Sequence, residues 1–250
     1  MSINRRRLKA VKVEAATDEE NESNLKVLNG GAKHKRRRKK DVEIVPRNMK
    51  QSELIRLLNI NNNHIVFATG PAGTGKTLIS TLYAIRRFKE GSIDKIVITR
   101  PAVSVDEQHG FLPGTLIEKM TPWTKPIMDV FEEYYSPKEL KYLLDENLIE
   151  IAPLAFMRGR TFKNSVIIAD EMQNATDSQM KMLLTRIGEG SKLVITGDLD
   201  QHDRGYNDNG LKKFMERLNA KKAKMIASVE FNFKEIERHP VVSEVLSLYE

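Results

Sequence analysis

The sequence predicts an α/β fold in which a parallel β-sheet is covered by helices on both faces. From Arg47 onward, short apolar runs alternate with amphipathic stretches of helical periodicity. The run 166–169 is apolar throughout instead of alternating with polar residues, as expected for a parallel strand that is buried on both faces. A chain of 250 residues can bury one sizeable core, which favours one main domain.

The individual elements follow from this pattern. The predicted strands are 65–68, 95–99, 148–151, 165–169, 192–196 and 225–229. The predicted helices are 51–59, 76–88, 138–146, 177–187, 210–218 and 240–249. The stretch 101–137 contains five prolines and interrupts the alternation, so we expect an inserted segment that is largely irregular or helical.

The first 46 residues differ in composition from the rest. They contain 13 Lys and Arg against 7 Asp and Glu, which accounts for six of the seven net positive charges. Such a segment buries too little apolar surface to fold alone, so we predict a disordered basic tail at 1–46 and a folded domain at 47–250. The basic block at 33–40 is suited to binding RNA or DNA phosphates through counterion release, and equally to remaining a solvated tail without a ligand.

The composition excludes several other classes of site. The chain has no cysteine, which rules out disulfides and thiolate metal sites, and its five histidines do not cluster. It also has no run of about 18 apolar residues, the length that a membrane span needs. We therefore expect a cytoplasmic protein without a membrane partner.

A phosphate-binding loop is predicted between the first strand and the second helix. The motif G-x-x-x-x-G-K-T is matched by Gly70, Pro71, Ala72, Gly73, Thr74, Gly75, Lys76 and Thr77. The glycines allow backbone N–H groups to turn inward around phosphates, and the helix N-terminus adds a positive dipole. Lys76 is then expected to reach the β- and γ-phosphates, and the Thr77 hydroxyl to bind Mg²⁺. The expected ligand is a nucleoside triphosphate bound with Mg²⁺.

Two further strands end in polar residues suited to phosphate chemistry. Asp170 and Glu171 follow an apolar strand, where Asp170 can hold Mg²⁺ and Glu171 can polarise the attacking water. Such a pair is also typical of a solvated turn or a helix N-cap. Gln201 follows the strand at 192–196, where it would either sense the γ-phosphate or be an exposed side chain after a turn.

Charge that develops on the transferred phosphoryl group calls for an arginine in addition to Lys76. The sequence offers Arg100, Arg158, Arg160, Arg186 and Arg238. Spacing alone does not choose among them.

Taken together, these residues resemble the PhoH-like proteins, a family of P-loop ATPases related in their motor core to superfamily one helicases. The resemblance covers about residues 47–250 and rests on several blocks in family order, namely 99–103, 110–114, 151–161, 184–188, 197–201 and 238–242. It departs at Met172, where the family usually has a small residue, and at 202–205, which lacks the usual apolar residue. The resemblance implies a P-loop NTPase (RecA-like) sheet.

The same resemblance implies roles for particular positions. Asp170 and Glu171 look like the family's acidic pair, and Gln201 is similar to the helicase sensor glutamine. Gln51 resembles the glutamine that reads the adenine edge in superfamily one enzymes, which implies that ATP is preferred over other triphosphates. Arg238 would act as an arginine finger on a neighbouring subunit of a homo-oligomer such as a ring. The two arginines at 158 and 160 would contact nucleic acid or the γ-phosphate. The compact size resembles short viral or phage members.

Three functions are compatible with these features. The leading hypothesis is an ATPase that couples hydrolysis to binding or remodelling of RNA or single-stranded DNA as an oligomer. The alternative is a nucleotide-gated nucleic-acid-binding module with little turnover. A small-molecule kinase fits less well, because it needs an acceptor pocket and the stretch 197–201 favours a motor-type sensor.

Overall fold

A computed structural model describes residues 41–101, 116–201, 209–221, 223–237 and 241 of the chain. The helices in this part of the chain are α1 (Met49–Asn59), α2 (Lys76–Lys89), α3 (Leu116–Glu132), α4 (Pro137–Asp145), α5 (Asp177–Leu184) and α6 (Gly210–Ala220). The strands are β1 (Ile65–Thr69), β2 (Lys95–Thr99), β3 (Ile149–Ile151), β4 (Ser165–Ala169), β5 (Lys192–Gly197) and β6 (Ile226–Glu230).

The six strands form one parallel sheet in the order β3-β2-β4-β5-β1-β6. Strand β5 therefore lies between β1, which precedes the glycine-rich loop, and β4, which precedes the acidic pair. Because all the strands are parallel, their carboxyl ends meet at one edge of the sheet. The loops after β1, β4 and β5 are consequently neighbours in space.

The strand residues divide between two hydrophobic clusters, one on each face of the sheet. In β1, Val66 and Ala68 pack with helices α1 to α4, while Ile65 and Phe67 pack with α5 and α6. The same alternation holds in β4 and β5. Both faces of β1, β4 and β5 are buried, which explains why these central strands are largely apolar. The predicted α/β class with helices on both faces is confirmed.

All six predicted strands are observed with their ends within one residue of the prediction, and the helices differ more at their ends. Helix α1 begins two residues earlier than predicted because Asn48 caps it, accepting a hydrogen bond from the Gln51 backbone N–H. Helix α5 ends at Leu184, so its predicted end at residue 187 was wrong. Ile187 instead forms a parallel bridge with Phe162, which requires an extended backbone there. The predicted helix at 240–249 lies outside the described residues apart from residue 241.

The proline-rich stretch 101–137 contains a long helix, α3, with Pro122 and Pro126 inside it. Each proline removes one backbone donor, but the helix buries Ile127 and Phe131 against the core. Of the two predicted alternatives for this stretch, the helical one is correct for Leu116–Glu132, and residues 102–115 lie outside the description.

At the N-terminal side, the described residues begin at Asp41, and Val42 and Ile44 already pack against the first cluster. Contacts with the core thus start a few residues before the predicted boundary at 46, while the division into tail and domain stays a prediction. None of the helices in the described ranges is long and apolar enough to cross a membrane.

Candidate nucleotide-binding site

The glycine-rich loop joins the end of β1 to the first turn of α2. Gly70 has a φ of 127°, and a Cβ atom at this position would lie 2.2 Å from the carbonyl oxygen of Phe231. Gly75 has a φ of 84°, and its Cβ would lie 2.9 Å from Nε2 of Gln51. Both positions therefore require glycine, for backbone conformation and for space. The Gly70 N–H also donates to the carbonyl oxygen of Gly197 at 3.0 Å, which ties the loop to the end of β5.

Lys76 is the first residue of α2, and its ammonium group lies inside the loop. Nζ donates to the carbonyl oxygens of Gly70 and Pro71, each at 2.6 Å, and to Oγ1 of Thr74 at 3.2 Å. The residue is only 8 % exposed. Burial lowers the pKa of Lys76, and the nearby carboxylates at 198, 171 and 170 act in the opposite direction. The loop thus contains a cation among backbone groups, as binding of a phosphate requires.

Asp170 connects β4 to α2 and β5. Its Oδ1 accepts a hydrogen bond from the Thr77 hydroxyl at 2.8 Å and a second one from the Thr196 hydroxyl. Its backbone N–H donates to the Thr99 carbonyl oxygen at 2.9 Å, which fixes the residue at the strand end. Mg²⁺ in nucleotide sites is held by one or two such oxygens together with phosphate oxygens and water. The donor set of Thr77 and Asp170 therefore fits the predicted magnesium ion.

Glu171 is held in position by Gln173, a residue to which the sequence assigned no role. Glu171 adopts a left-handed backbone with φ of 53°, and its Oε2 accepts from Nε2 of Gln173 at 2.5 Å. Oε1 of Gln173 accepts from the Asp198 backbone N–H at 3.1 Å. Gln173 is almost fully buried, so its amide joins the second carboxylate to the end of β5. The only signal in the sequence was a polar side chain close after the acidic pair.

A cavity of about 250 Å³ brings most of the predicted site residues together. It is lined by Ala72, Gly73, Gly75, Lys76, Thr77, Leu78, Asp170, Glu171, Gly197, Asp198 and Gln201. The phosphate loop, the acidic pair and the end of β5 thus face one space. Gln201 is exposed at the rim of this cavity.

Gln51 lies beside the phosphate loop with its side chain almost fully buried. Its Nε2 donates to the Thr74 carbonyl oxygen at 3.1 Å, and its Oε1 accepts from the Arg47 backbone N–H at 2.8 Å. Gln51 therefore contacts the loop itself and does not line the cavity. The predicted arginine finger, Arg238, lies outside the described residues.

The other candidate arginines differ in whether they pair with groups of the protein or face solvent. Arg160 pairs with both carboxylate oxygens of Glu150, at 2.6 and 2.9 Å, and lies over the Phe162 ring. This pairing lowers the pKa of Glu150 and raises that of Arg160. Arg158, two residues earlier, is exposed. Arg160 therefore has a structural role, whereas Arg158 faces solvent.

Arg100 and Arg186 also contact backbone carbonyl oxygens. Arg100 donates to the carbonyl of Trp123 at 3.3 Å, and Arg186 donates to that of Met182 at 3.0 Å. Neither residue lines the cavity. Thus none of the candidate arginines among the described residues lines this cavity.

The parallel sheet and its glycine-rich loop together define a protein with the P-loop NTPase fold. A sequence model of the PhoH-like protein family matches residues 43–250, and the chain belongs to this family. It is 43 % identical over 193 residues to a PhoH-like protein of Bacillus subtilis (strain 168), covering 76 % of this chain and 60 % of that protein. It is 39 % identical over 203 residues to Protein PhoH of Escherichia coli (strain K12), covering 80 % of this chain and 56 % of that protein.

These relatives are longer than this chain, which spans at most 60 % of their length. Among solved structures, the chain is similar to the Sulfolobus solfataricus SWI2/SNF2 ATPase core in complex with dsDNA, with a TM-score of 0.40 and 14 % identity over 64 % of this chain and 33 % of that one. It is also similar to the Pif1 helicase from Candida albicans, with a TM-score of 0.37 and 14 % identity. This match covers 83 % of this chain and 45 % of that one.

Proposed function

We propose that this chain binds ATP with Mg²⁺ and hydrolyses it. The observation that carries the proposal is that Lys76, the Thr77–Asp170 pair and Glu171 line the same cavity. These groups supply a cation for phosphate, oxygen ligands for a divalent ion and a carboxylate next to both. This combination is the one that phosphoryl transfer to water requires.

Each group has a distinct task in this proposal. The loop N–H groups and Lys76 bind the β- and γ-phosphates, and Thr77 and Asp170 would hold Mg²⁺, which neutralises phosphate charge. Glu171 orients the attacking water and accepts its proton, and Gln173 keeps the carboxylate pointed into the cavity. Gln201, at the rim, would sense the γ-phosphate. Arg238 of a neighbouring subunit would complete the positive charge around the transferred group, so a homo-oligomer such as a ring is part of the proposal.

The second part of the proposal is that hydrolysis is coupled to binding or remodelling of RNA or single-stranded DNA. Its support is the basic segment 1–46, which carries six of the seven net positive charges. Such a segment binds nucleic acid without sequence preference and in a salt-dependent way. The described domain contains a single parallel sheet, so movement along a strand would require several copies.

The experiment for this part is an ATPase assay with and without single-stranded RNA and DNA. We expect polynucleotide to stimulate ATP hydrolysis by the whole chain of 250 residues. It should not stimulate hydrolysis by a shortened chain that starts at Asp41. That start keeps Val42 and Ile44, which pack against the core, so the shortened chain should unfold at the same temperature. Absence of stimulation by every polynucleotide, together with a monomeric state in solution, would refute the coupling.

The alternative function is a nucleotide-gated nucleic-acid-binding module with little turnover. The single sheet of the described domain favours it, because one motor core can switch its grip without moving along a strand. RNA affinity measured with ATP and with ADP separates the two functions. Slow ATP turnover with a large difference in RNA affinity between ATP and ADP supports the nucleotide-gated binding module. Fast, RNA-stimulated turnover supports the coupled ATPase.

A further inference from the structure

Two large apolar side chains near the phosphate loop are strongly exposed and take no part in the cavity. Phe233 is 75 % exposed and Met49 is 86 % exposed. Single exposed apolar residues are ordinary on protein surfaces. These two differ because both belong to segments that are hydrogen-bonded to the phosphate loop itself.

The segment that carries Phe233 is attached to the loop at both ends. The Phe231 N–H donates to the Thr69 carbonyl oxygen at 2.8 Å, and the Glu237 N–H donates to the Gly73 carbonyl oxygen at 2.9 Å. Between these points the chain forms a 3₁₀ turn at Phe233–Glu235. The ring of Phe233 is thus presented from a short turn that is fixed alongside the loop.

The start of α1, which carries Met49, is tied to the same turn. Nδ2 of Asn48 donates to the Glu235 carbonyl oxygen at 3.4 Å and to the Glu237 carboxylate at 3.2 Å. One turn further along, Gln51 donates to the Thr74 carbonyl oxygen. Met49 and Phe233 therefore project from two neighbouring segments, both joined to the phosphate loop by hydrogen bonds.

We propose that Phe233 and Met49 form the contact surface for the base of the bound nucleotide. This inference rests on the proposed function, because it concerns the same nucleotide. When the phosphates occupy the loop, the nucleoside must extend onto the protein surface beside it. A flat base binds well to an exposed aromatic ring and to an exposed thioether side chain. The surface beside the loop offers both.

The engagement of Gln51 supports the same conclusion. Both ends of its amide already have protein partners, at Thr74 and Arg47, and the residue is only 5 % exposed. Gln51 thus links α1 to the loop, and in this proposal apolar contact supplies the base affinity.

The test compares a ligand that has a base with one that lacks it. Calorimetry measures binding of ADP and of inorganic pyrophosphate, both with Mg²⁺, to the full chain and to Phe233→Ala and Met49→Ala. We expect Phe233→Ala to weaken ADP binding about tenfold and Met49→Ala to weaken it about threefold, with pyrophosphate binding unchanged in both. Phe156→Ala is the matched control, since Phe156 is 56 % exposed but lies in a different turn, Leu154–Met157.

The outcomes separate the two proposals. If Phe233→Ala binds ADP within twofold of the unchanged chain, or loses ADP and pyrophosphate affinity equally, the base contact is refuted while phosphate binding stands. If the unchanged chain binds neither ligand, the proposed function itself is refuted, and the base contact with it. Thermal unfolding of each variant verifies that the exposed substitutions leave the fold intact.

Discussion

At the residue scale, the site depends on side chains that hold the acidic pair as much as on the pair itself. Asp170 is fixed by the hydroxyls of Thr77 and Thr196, and Glu171 by the amide of Gln173. A carboxylate that activates water must point at it before the reaction begins, since reorientation adds to the barrier. Gln173 is therefore expected to affect turnover more than nucleotide binding.

Replacement of Gln173 tests this expectation. Gln173→Met keeps the length of the side chain but removes its bonds to Glu171 and to the Asp198 N–H. We expect kcat for ATP to fall about 10- to 100-fold, the usual effect of losing a residue that orients a functional group, with the Kd for ADP changed less than threefold. Steady-state kinetics measures kcat, and titration with ADP measures the Kd. An unchanged kcat, or an equal loss in both quantities, would assign Gln173 a role in folding alone.

At the element scale, α1 is the helix that joins the phosphate loop to the opposite end of the sheet. Its first turn contacts the loop through Gln51, and its last turn is capped by Lys192 at the start of β5. The Lys192 ammonium group donates to the carbonyl oxygens of Leu58 and Ile60 at 2.6 and 2.9 Å. These are carbonyls that a helix end otherwise leaves without partners.

This cap makes the stability of the domain depend on pH. Burial, and to a smaller extent the charge of Arg87, lowers the pKa of Lys192 to about 8, whereas an unfolded lysine titrates near 10.4. Between these values the unfolded chain binds more protons than the folded chain, so the contribution of Lys192 to stability rises with pH. Below pH 8 both states are protonated, and this pH dependence disappears.

Urea unfolding at pH 7.5 and pH 9.5 measures the effect. The free energy of unfolding of the unchanged chain minus that of Lys192→Met should increase by about 2 kcal/mol between the two pH values. Subtracting the variant removes the contributions of other groups that titrate in this range. A difference that stays constant would mean that the ammonium group is solvated in the folded protein.

At the scale of the whole molecule, the sequence predicted what local patterns determine. The strands were predicted because each is a short apolar run, and the phosphate loop because its glycines, Lys76 and Thr77 are adjacent in the chain. The contact of Asp170 with Thr77 could also be expected, since parallel strands bring their carboxyl ends together.

Features that depend on contacts between distant segments could not be predicted in this way. The end of α5 is set by the pairing of Ile187 with Phe162. The bond of Thr196 to Asp170 joins neighbouring strands that are separated in the chain by α5. Nothing in the sequence near Phe233 indicated that its turn is bonded to Gly73 through Glu237.

ATP hydrolysis at this cavity is tested most directly by comparing the unchanged chain with Glu171→Gln in the presence of Mg²⁺. The substitution keeps the size of the side chain but removes the base that accepts the proton of the attacking water. We predict ADP affinities within threefold of each other and a hydrolysis rate at least about 100-fold lower in the variant. Equal hydrolysis rates in the two proteins, or no hydrolysis by the unchanged chain with or without polynucleotide, would refute hydrolysis at this cavity.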